Sequence, residues 1–346
     1  LIAILREKIA ADGPLGFADF MAAALYHPQL GYYAKQTRQV GRAGDFYTSV
    51  SVGPLFGKLL ARRFLNWWQS AGTPENWRVI ESGAHDGTLA ADVLTELRTL
   101  DAAAFSALEY VIPEPLPLLQ AAQRTTLAAF PNVRLFTDPA ELARRPLPGI
   151  AFGNEVLDAL PFHVIERQNG EWRDCLVDFQ KGEFVWQTGG IFPHGPAGDF
   201  PDGYRTEIRD NFGKFFQPLL HGLTSGLLIF PDYGYDRPDY YHPDRRTGTL
   251  RTFSKHRAAE DPLATPGDID ITAHVDFTAA TEAAAALGCQ PLALRSQGSW
   301  LTHLARDWLI SLEGNPDPAA LRQFQALTHP AHLGAKFHVL ELAWKP

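Results

Sequence analysis

From residue 77 onward the sequence alternates short apolar runs with amphipathic stretches, and that alternation restricts the chain to few folds. Residues 78–82 (RVIES) make a short apolar strand closing on an acid, and 88–100 (TLAADVLTELRTL) space their apolar residues as a helix does. A second strand at 110–113 leads into a Pro-opened helix at 117–129, followed by strands at 133–136 and 149–153. Strands this short, separated by helices, are joined by crossovers that cover both faces of a parallel sheet. The expected class is α/β, with a doubly wound, mostly parallel Rossmann-like sheet.

The remaining segments decorate that core. Helical patterns at 17–25 and 55–68 flank an irregular Gly/Tyr/Ser-rich stretch at 28–54, which reads as an N-terminal helical lid over 1–72. After 160 the pattern changes to antiparallel strands at 163–166, 171–178 and 183–187, turned at Asn169-Gly170 and Lys181-Gly182. A helix is expected at 204–220, so 161–222 reads as an antiparallel β insertion with a helix. The core is assigned to 73–160 and 223–346. Its second part holds a strand at 225–230, a long loop at 231–270, helices at 279–287, 301–312 and 319–327, and strands at 291–294 and 336–343.

Charge and composition narrow the function. With 39 acidic against 31 basic residues, the net charge of -8 argues against sequence-independent nucleic-acid binding. No apolar run of about 18 residues is present, so no membrane span is expected. Cys175 and Cys289 lie far apart and lack metal-ligand spacing; they read as reduced thiols of a cytoplasmic protein. The first ten residues carry Arg6, Glu7 and Lys8 without a small-residue cleavage site, unlike a signal peptide. Oligomeric state is not legible.

Three features fall at successive strand ends, where doubly wound sheets bind nucleotide-like ligands. The first is the turn Glu81-Ser82-Gly83-Ala84-His85-Asp86-Gly87, whose small residues admit a ligand to the backbone and to a helix N-terminus. The second is Glu114, placed to accept hydrogen bonds from two ribose hydroxyls. The third is Gly153-Asn154-Glu155. A glycine turn and an acid after a strand each have an ordinary structural reading, but their succession points to a nucleoside-type ligand. The turn is not G-x-G-x-x-G, because His85 takes the middle glycine position, which disfavours NAD. The segment at 53–59 (GPLFGKL) is too short for a P-loop, and no G-x-S-x-G nucleophile elbow exists.

Motifs along nearly the whole chain resemble the MidA-like methyltransferase family. They run from Tyr26-His27-Pro28 and Gly31-Tyr32-Tyr33 through Gly44-Asp45-Phe46-Tyr47-Thr48-Ser49 and Phe56-Gly57. The 81–87 turn, Glu114-Pro115 with Gln123, and Asn154-Glu155-Val156-Leu157-Asp158-Ala159-Leu160-Pro161 come next. Asp232-Tyr233-Gly234, Gly248-Thr249-Leu250-Arg251 and residues 267–277 (GDIDITAHVDF) complete the series. The resemblance implies a class I fold that binds S-adenosyl-L-methionine (SAM). It also implies protein arginine methylation, the activity of mitochondrial relatives that assist respiratory complex I assembly. Three departures stand out: His85 replaces the central glycine of the family turn, Val50-Ser51 replaces Pro-Glu, and Leu116 replaces a serine.

On this resemblance Glu81, Gly83, Ala84, His85 and Gly87 cradle the cofactor, with Glu114 on the ribose and Asn154 beside it. Gly44, Asp45, Thr48 and Ser49 fold over it as a lid. Glu155, then Asp158, with Asn154, face the methyl group. A guanidinium acceptor must lose a proton as it reacts, and carboxylates would orient it and localise its charge. Asp158 has an alternative reading as the cap of a helix beginning at Ala159. Asp232, Tyr233, His274 and Asp276 are assigned to a substrate-pocket wall, since an extended 271–277 would put Thr272, His274 and Asp276 on one face. Phe46, Tyr47, Tyr240 and Tyr241 are further candidates for the acceptor cleft. The expected partners are SAM and a protein acceptor, against the alternatives of a non-catalytic SAM-binding assembly factor or a small-molecule methyltransferase.

Overall fold

A computed structural model describes residues 1–35, 48–254, 257–259 and 261–345. The chain opens with helices Ile2–Asp12 and Phe17–Tyr26 around a two-residue strand β1 (Leu15–Gly16), then a 3-10 turn at Tyr32–Ala34 and the helix Leu55–Ser70. Four strands come after it, β2 (Trp77–Glu81), β3 (Leu108–Pro113), β4 (Val133–Phe136) and β5 (Leu147–Phe152), with helices Thr88–Leu100 and Pro117–Thr126 between them. The insertion holds β6 (His163–Gln168), β7 (Glu171–Gln180), β8 (Glu183–Ile191) and β9 (Arg205–Ile208). After helix Phe212–His221 come β10 (Leu223–Tyr235), β11 (Arg251–Ser254), β12 (Arg257–Ala259), β13 (Asp270–Thr272) and β14 (Val275–Asp276). Helix Phe277–Ala286, β15 (Gln290–Ser296), helix Pro318–Thr328 and β16 (Phe337–Trp344) lie toward the C-terminus.

The central sheet runs β15-β16-β10-β5-β2-β3-β4, with β14 added along the end of β10. β4, β3, β2, β5 and β10 are mutually parallel, and β16 is antiparallel to both its neighbours. This is the doubly wound sheet expected from the alternation. Strand order reverses between β2 and β5, so the ligand crevice lies outside their C-terminal ends.

The strands bury both faces because consecutive residues serve opposite cores. Val79, Tyr110, Ile150 and Phe152 join one apolar cluster with Phe56, Phe64 and Leu94. Ile80, Val111 and Ala151 join the other with Phe216, Leu228 and Ala280. Each such side chain contributes about 1.5–3 kcal/mol on burial. A third cluster ties Phe17, Phe20 and Met21 to Phe162, Val164 and Val177 of the insertion, where β1 pairs with β7. The N-terminal region therefore divides, its first two helices lying on the insertion and Leu55–Ser70 on the core.

Three local expectations are corrected. The segment at 204–220 is not one helix; β9 pairs with β6 before the helix Phe212–His221 starts, because Thr206 and Glu207 are drawn into the buried sheet edge. The loop expected at 231–270 contains the end of β10, a short helix at Arg237–Tyr240, and β11 and β12, which with β13 at its end form a small sheet β12-β11-β13. Residues 271–277 are not one strand, because the chain breaks between β13 and β14 at Ala273 and His274. Thr272 and His274 both meet Tyr233, whereas Asp276 turns away to cap the next helix.

Candidate active site

The turn after β2 is built on left-handed backbone at Gly83 (φ 70°), His85 (φ 48°) and Gly87 (φ 85°). At Gly83 a side chain is also barred by space, since a Cβ would stand 2.5 Å from Val156 Cγ1. His85 keeps the path a glycine would take, in a region histidine tolerates better than most residues. Its side chain is 34% exposed and lies 3.8 Å from the Asp86 carboxylate, outside the apolar core. Asp86 accepts the Thr88 N–H at the start of the next helix, and together with His85 this holds its carboxyl down at about 2. Ala84 is buried beneath the turn.

Glu114 ends β3 in a nearly buried position and accepts the Leu116 N–H (2.9 Å) and the Gln123 amide (3.2 Å). Burial raises its pKa from the ordinary glutamate value, against the lowering effect of those two hydrogen bonds. The same Gln123 nitrogen donates to the His85 carbonyl at 2.8 Å, joining the turn to the acid. Gln123 belongs to the family motif, yet its position in the sequence carries no hint of this bridging role. Glu81 is buried and accepts the Tyr110 hydroxyl at 2.6 Å; burial pushes it up to about 8.

Beyond β5 the chain turns sharply, with Glu155 itself at φ 53°. Glu155 Oε1 accepts the Asn154 amide (3.0 Å) and the Ser49 N–H (3.3 Å). Burial, then the charge of Asp158, pushes Glu155 up to about 8. No helix begins at Ala159, so Asp158 caps nothing; its Oδ2 accepts the Tyr233 hydroxyl in a short hydrogen bond. Its Oδ1 is buried and has no hydrogen-bond partner among the described residues. Burial raises its pKa.

Asp232 does not face a pocket. It is fully buried, and its carboxylate receives the N–H groups of Leu157 (2.9 Å), Asp158 (3.3 Å) and Tyr233 (2.8 Å), fixing the backbone behind Asp158. Arg209 braces the same region, donating to the carbonyls of Asp158, Leu160, Ala273 and His274. His274 stacks on Tyr235 with ring centroids 5.1 Å apart and meets Tyr233 edge-on. Burial, then Arg251, Arg245 and Arg209, lower it to about 4, so it is neutral at pH 7. Two motif tyrosines complete the surround: Tyr26 donates to the Ala159 carbonyl at 2.8 Å and Tyr33 to Asp270 at 3.1 Å, their rings 5.5 Å apart.

The other assignments fall elsewhere. Asp276 caps helix Phe277–Ala286 through the Ala279 N–H, and Tyr240 is buried against Glu207. Asp276, Tyr240 and Tyr241 line a separate cavity of 520 Å³ that shares Arg209 with the site but touches none of Gly83, Glu114 and Glu155. Thr48 and Ser51 bond reciprocally, and the Ser49 hydroxyl is turned inward to Gln297. Gly44, Asp45, Phe46 and Tyr47 lie outside the described residues.

The residues fit a nucleoside with a charged amino-acid tail. Gln123 Oε1, Asn154 Oδ1 and Asp158 Oδ1 are buried acceptors without partners, set around the strand ends. Unpaired buried acceptors are costly, and these three adjoin the 81–87 turn, Glu114 and Glu155, where donors of a ligand would satisfy them.

Comparison with known proteins agrees with this geometry. Residues 59–294 match a family described as putative S-adenosyl-L-methionine-dependent methyltransferase. A structure from Burkholderia thailandensis bound to S-adenosyl-homocysteine is similar with TM-score 0.85 and 33% identity, over 99% of this chain and 91% of that one. The protein arginine methyltransferase NDUFAF7 homologue, mitochondrial, of Drosophila melanogaster is 28% identical over 98% of this chain and 83% of its own. Its human counterpart, also named mitochondrial, is 26% identical over 98% and 82%. Among the described residues no helix is long and apolar enough to cross a membrane. A doubly wound sheet, a turn and acid at its switch point, and a match over most of the chain establish that this protein belongs to the MidA-like family and is a SAM-dependent methyltransferase.

Proposed function

We propose that the methyl acceptor is an arginine side chain of a protein, received between Glu155 and Asp158 and walled by Tyr26, Tyr33 and Tyr233. The observation that carries this reading is Asp158 Oδ1, a buried carboxylate oxygen without a partner, set in Coulombic reach of Glu155 and surrounded by tyrosines. A guanidinium supplies planar donors for two carboxylates and a face for aromatic rings. Tyr26 turns its hydroxyl inward to the Ala159 carbonyl while 40% of its surface stays exposed, so it links the site to the protein surface. The names of the relatives agree.

When bound, SAM supplies a sulfonium methyl group for in-line transfer. On this proposal the backbone of Gly83, Ala84, His85 and Gly87 holds it, with Glu81 behind the turn. Glu114 takes its ribose, and Asn154, Thr48 and Ser49 close the site. Glu155 and Asp158 orient the guanidinium and keep its charge on the nitrogens that do not react. Glu155, pushed up to about 8, then takes the proton that the alkylated nitrogen must lose. Tyr233 and Asp232 keep Asp158 in place. For compartment, the two buried free thiols, Cys175 and Cys289, favour the reducing cytoplasm.

The test is transfer of labelled methyl to arginine-containing and lysine-containing peptides, beside Glu155→Gln and Asp158→Asn. Methylation of the arginine peptides alone, lost in both variants while SAM still binds, is the expected result. Labelling of neither peptide class, with SAM bound, would leave the assembly-factor or small-molecule reading.

A further inference from the structure

Beside this site the chain carries an unpaired set of cations. Arg245, Arg246 and Arg251 fall within seven residues of an otherwise acidic protein, and among the described residues none of the three makes an ion pair. Arg246 and Arg251 are exposed and Arg245 is half-buried. Arg245 is fixed rather than free: its guanidinium carbon stands 3.7 Å from the centre of the Tyr235 ring, and its Nε donates to the Asp239 carbonyl at 2.7 Å. Arg251 opens β11 opposite Thr272 of β13, and Thr249, two residues earlier, accepts the His274 N–H.

Arg245 and Arg251 lie close enough to His274, beside the acceptor site, for their charges to lower its pKa, and Arg246 follows Arg245 in the chain. Tyr233 and Tyr235 are two residues apart on β10, so they point to the same face. Tyr233 reaches Asp158, and both rings contact His274. Counted along β10, the ring that Arg245 covers is offset from Tyr233 by two residues of extended chain, about 7 Å. His274 between them is neutral and does not screen one from the other.

We propose that Arg245, Arg246 and Arg251 form a cationic rim that selects acceptors carrying an acidic side chain two or three residues from the arginine to be methylated. The rim would also reject arginines set among other basic residues, because like charges brought together there are disfavoured. This rests on the arginine-acceptor reading for its position along the substrate but not for its affinity for acids.

The experiment uses the full chain saturated with S-adenosyl-homocysteine and three labelled peptides, read by fluorescence anisotropy. One carries a central arginine with aspartates two residues to each side, the second has serines in place of the aspartates, and the third keeps the aspartates but has glutamine at the centre. Arg246→Glu with Arg251→Glu is the working variant, since both side chains are exposed. The native chain should bind the acid-flanked arginine peptide about tenfold more tightly than the serine peptide at low salt. That preference should shrink above about 0.3 M salt and vanish in the double variant. If the arginine and glutamine peptides bind alike and the double variant still loses both, the rim stands and the arginine reading falls. Equal binding of acid-flanked and serine peptides, absence of binding by either, or a preference that survives the double variant overturns the rim.

Discussion

One amide nitrogen of Gln123 bridges the two halves of the proposed cofactor site, donating to the His85 carbonyl at 2.8 Å and to the Glu114 carboxylate at 3.2 Å. Because the turn and the acid come from different strands, this side chain sets their separation. Gln123→Ala should weaken SAM binding about tenfold by calorimetry, a loss of about 1.4 kcal/mol consistent with a hydrogen bond to a charged group. Gln123→Glu should weaken it more, by placing a second carboxylate against Glu114.

His85 holds a backbone conformation that costs an ordinary residue about 1–2 kcal/mol. His85→Gly should therefore raise stability by up to about 1 kcal/mol in urea denaturation and leave SAM affinity within about threefold. Glu114→Ala should abolish binding at the same concentrations. A gain in affinity above tenfold in His85→Gly would show instead that the imidazole obstructs the cofactor.

Much of the sheet was legible, because residues such as Val79 and Ile80 must bury on opposite sides of a parallel strand. The places of Glu81, Gly83 and Glu114 at the strand ends were legible for a related reason: short loops leave little freedom in where the residues just past a strand end can sit. The surround of the acceptor site was not. Tyr26 meets Ala159 across 133 positions, and Tyr33 meets Asp270 across 237, contacts no local pattern announces. Alternation misled at 271–277, where Arg209 draws the carbonyls of Ala273 and His274 together and breaks the strand. Asp232 misled because an acid after a strand can turn inward to backbone N–H groups as readily as outward to a ligand.

The raised pKa of Glu155 and Glu81 makes a pH prediction of definite sign. Each group has its folded pKa near 8, above its unfolded value of 4.5, so the folded state binds more protons between those limits. Stability is fully present below the unfolded value and falls as pH rises toward 8. The free protein should lose several degrees of Tm between pH 6 and 8.5, and Glu155→Gln should flatten that slope. Activity should run the other way: with Glu155 required as a carboxylate, kcat/KM should climb through a pKa near 8. A flat rate profile over pH 6–9 would remove Glu155 from the proton-accepting role.

Arg209 offers the sharpest separation between holding the site and performing the reaction. Its guanidinium is nearly buried and answers to four carbonyls, including those of Asp158 and His274, with the Phe162 ring 4.9 Å away. Lysine keeps the charge but cannot reach four acceptors in one plane. Arg209→Lys should cost about 2–4 kcal/mol in urea denaturation, because buried carbonyls are left unpaired. Asp158 and the His274 stack lose their common anchor in that variant, so kcat should fall. SAM affinity should hold, since the 81–87 turn, Glu114 and Gln123 make no contact with Arg209. Glu155→Gln should show the reverse pattern, with transfer lost and no loss of stability at pH 8. If Arg209→Lys instead lowers SAM binding and transfer together, the cofactor and acceptor halves of the site are one mechanical unit, and Arg209 is the brace between them.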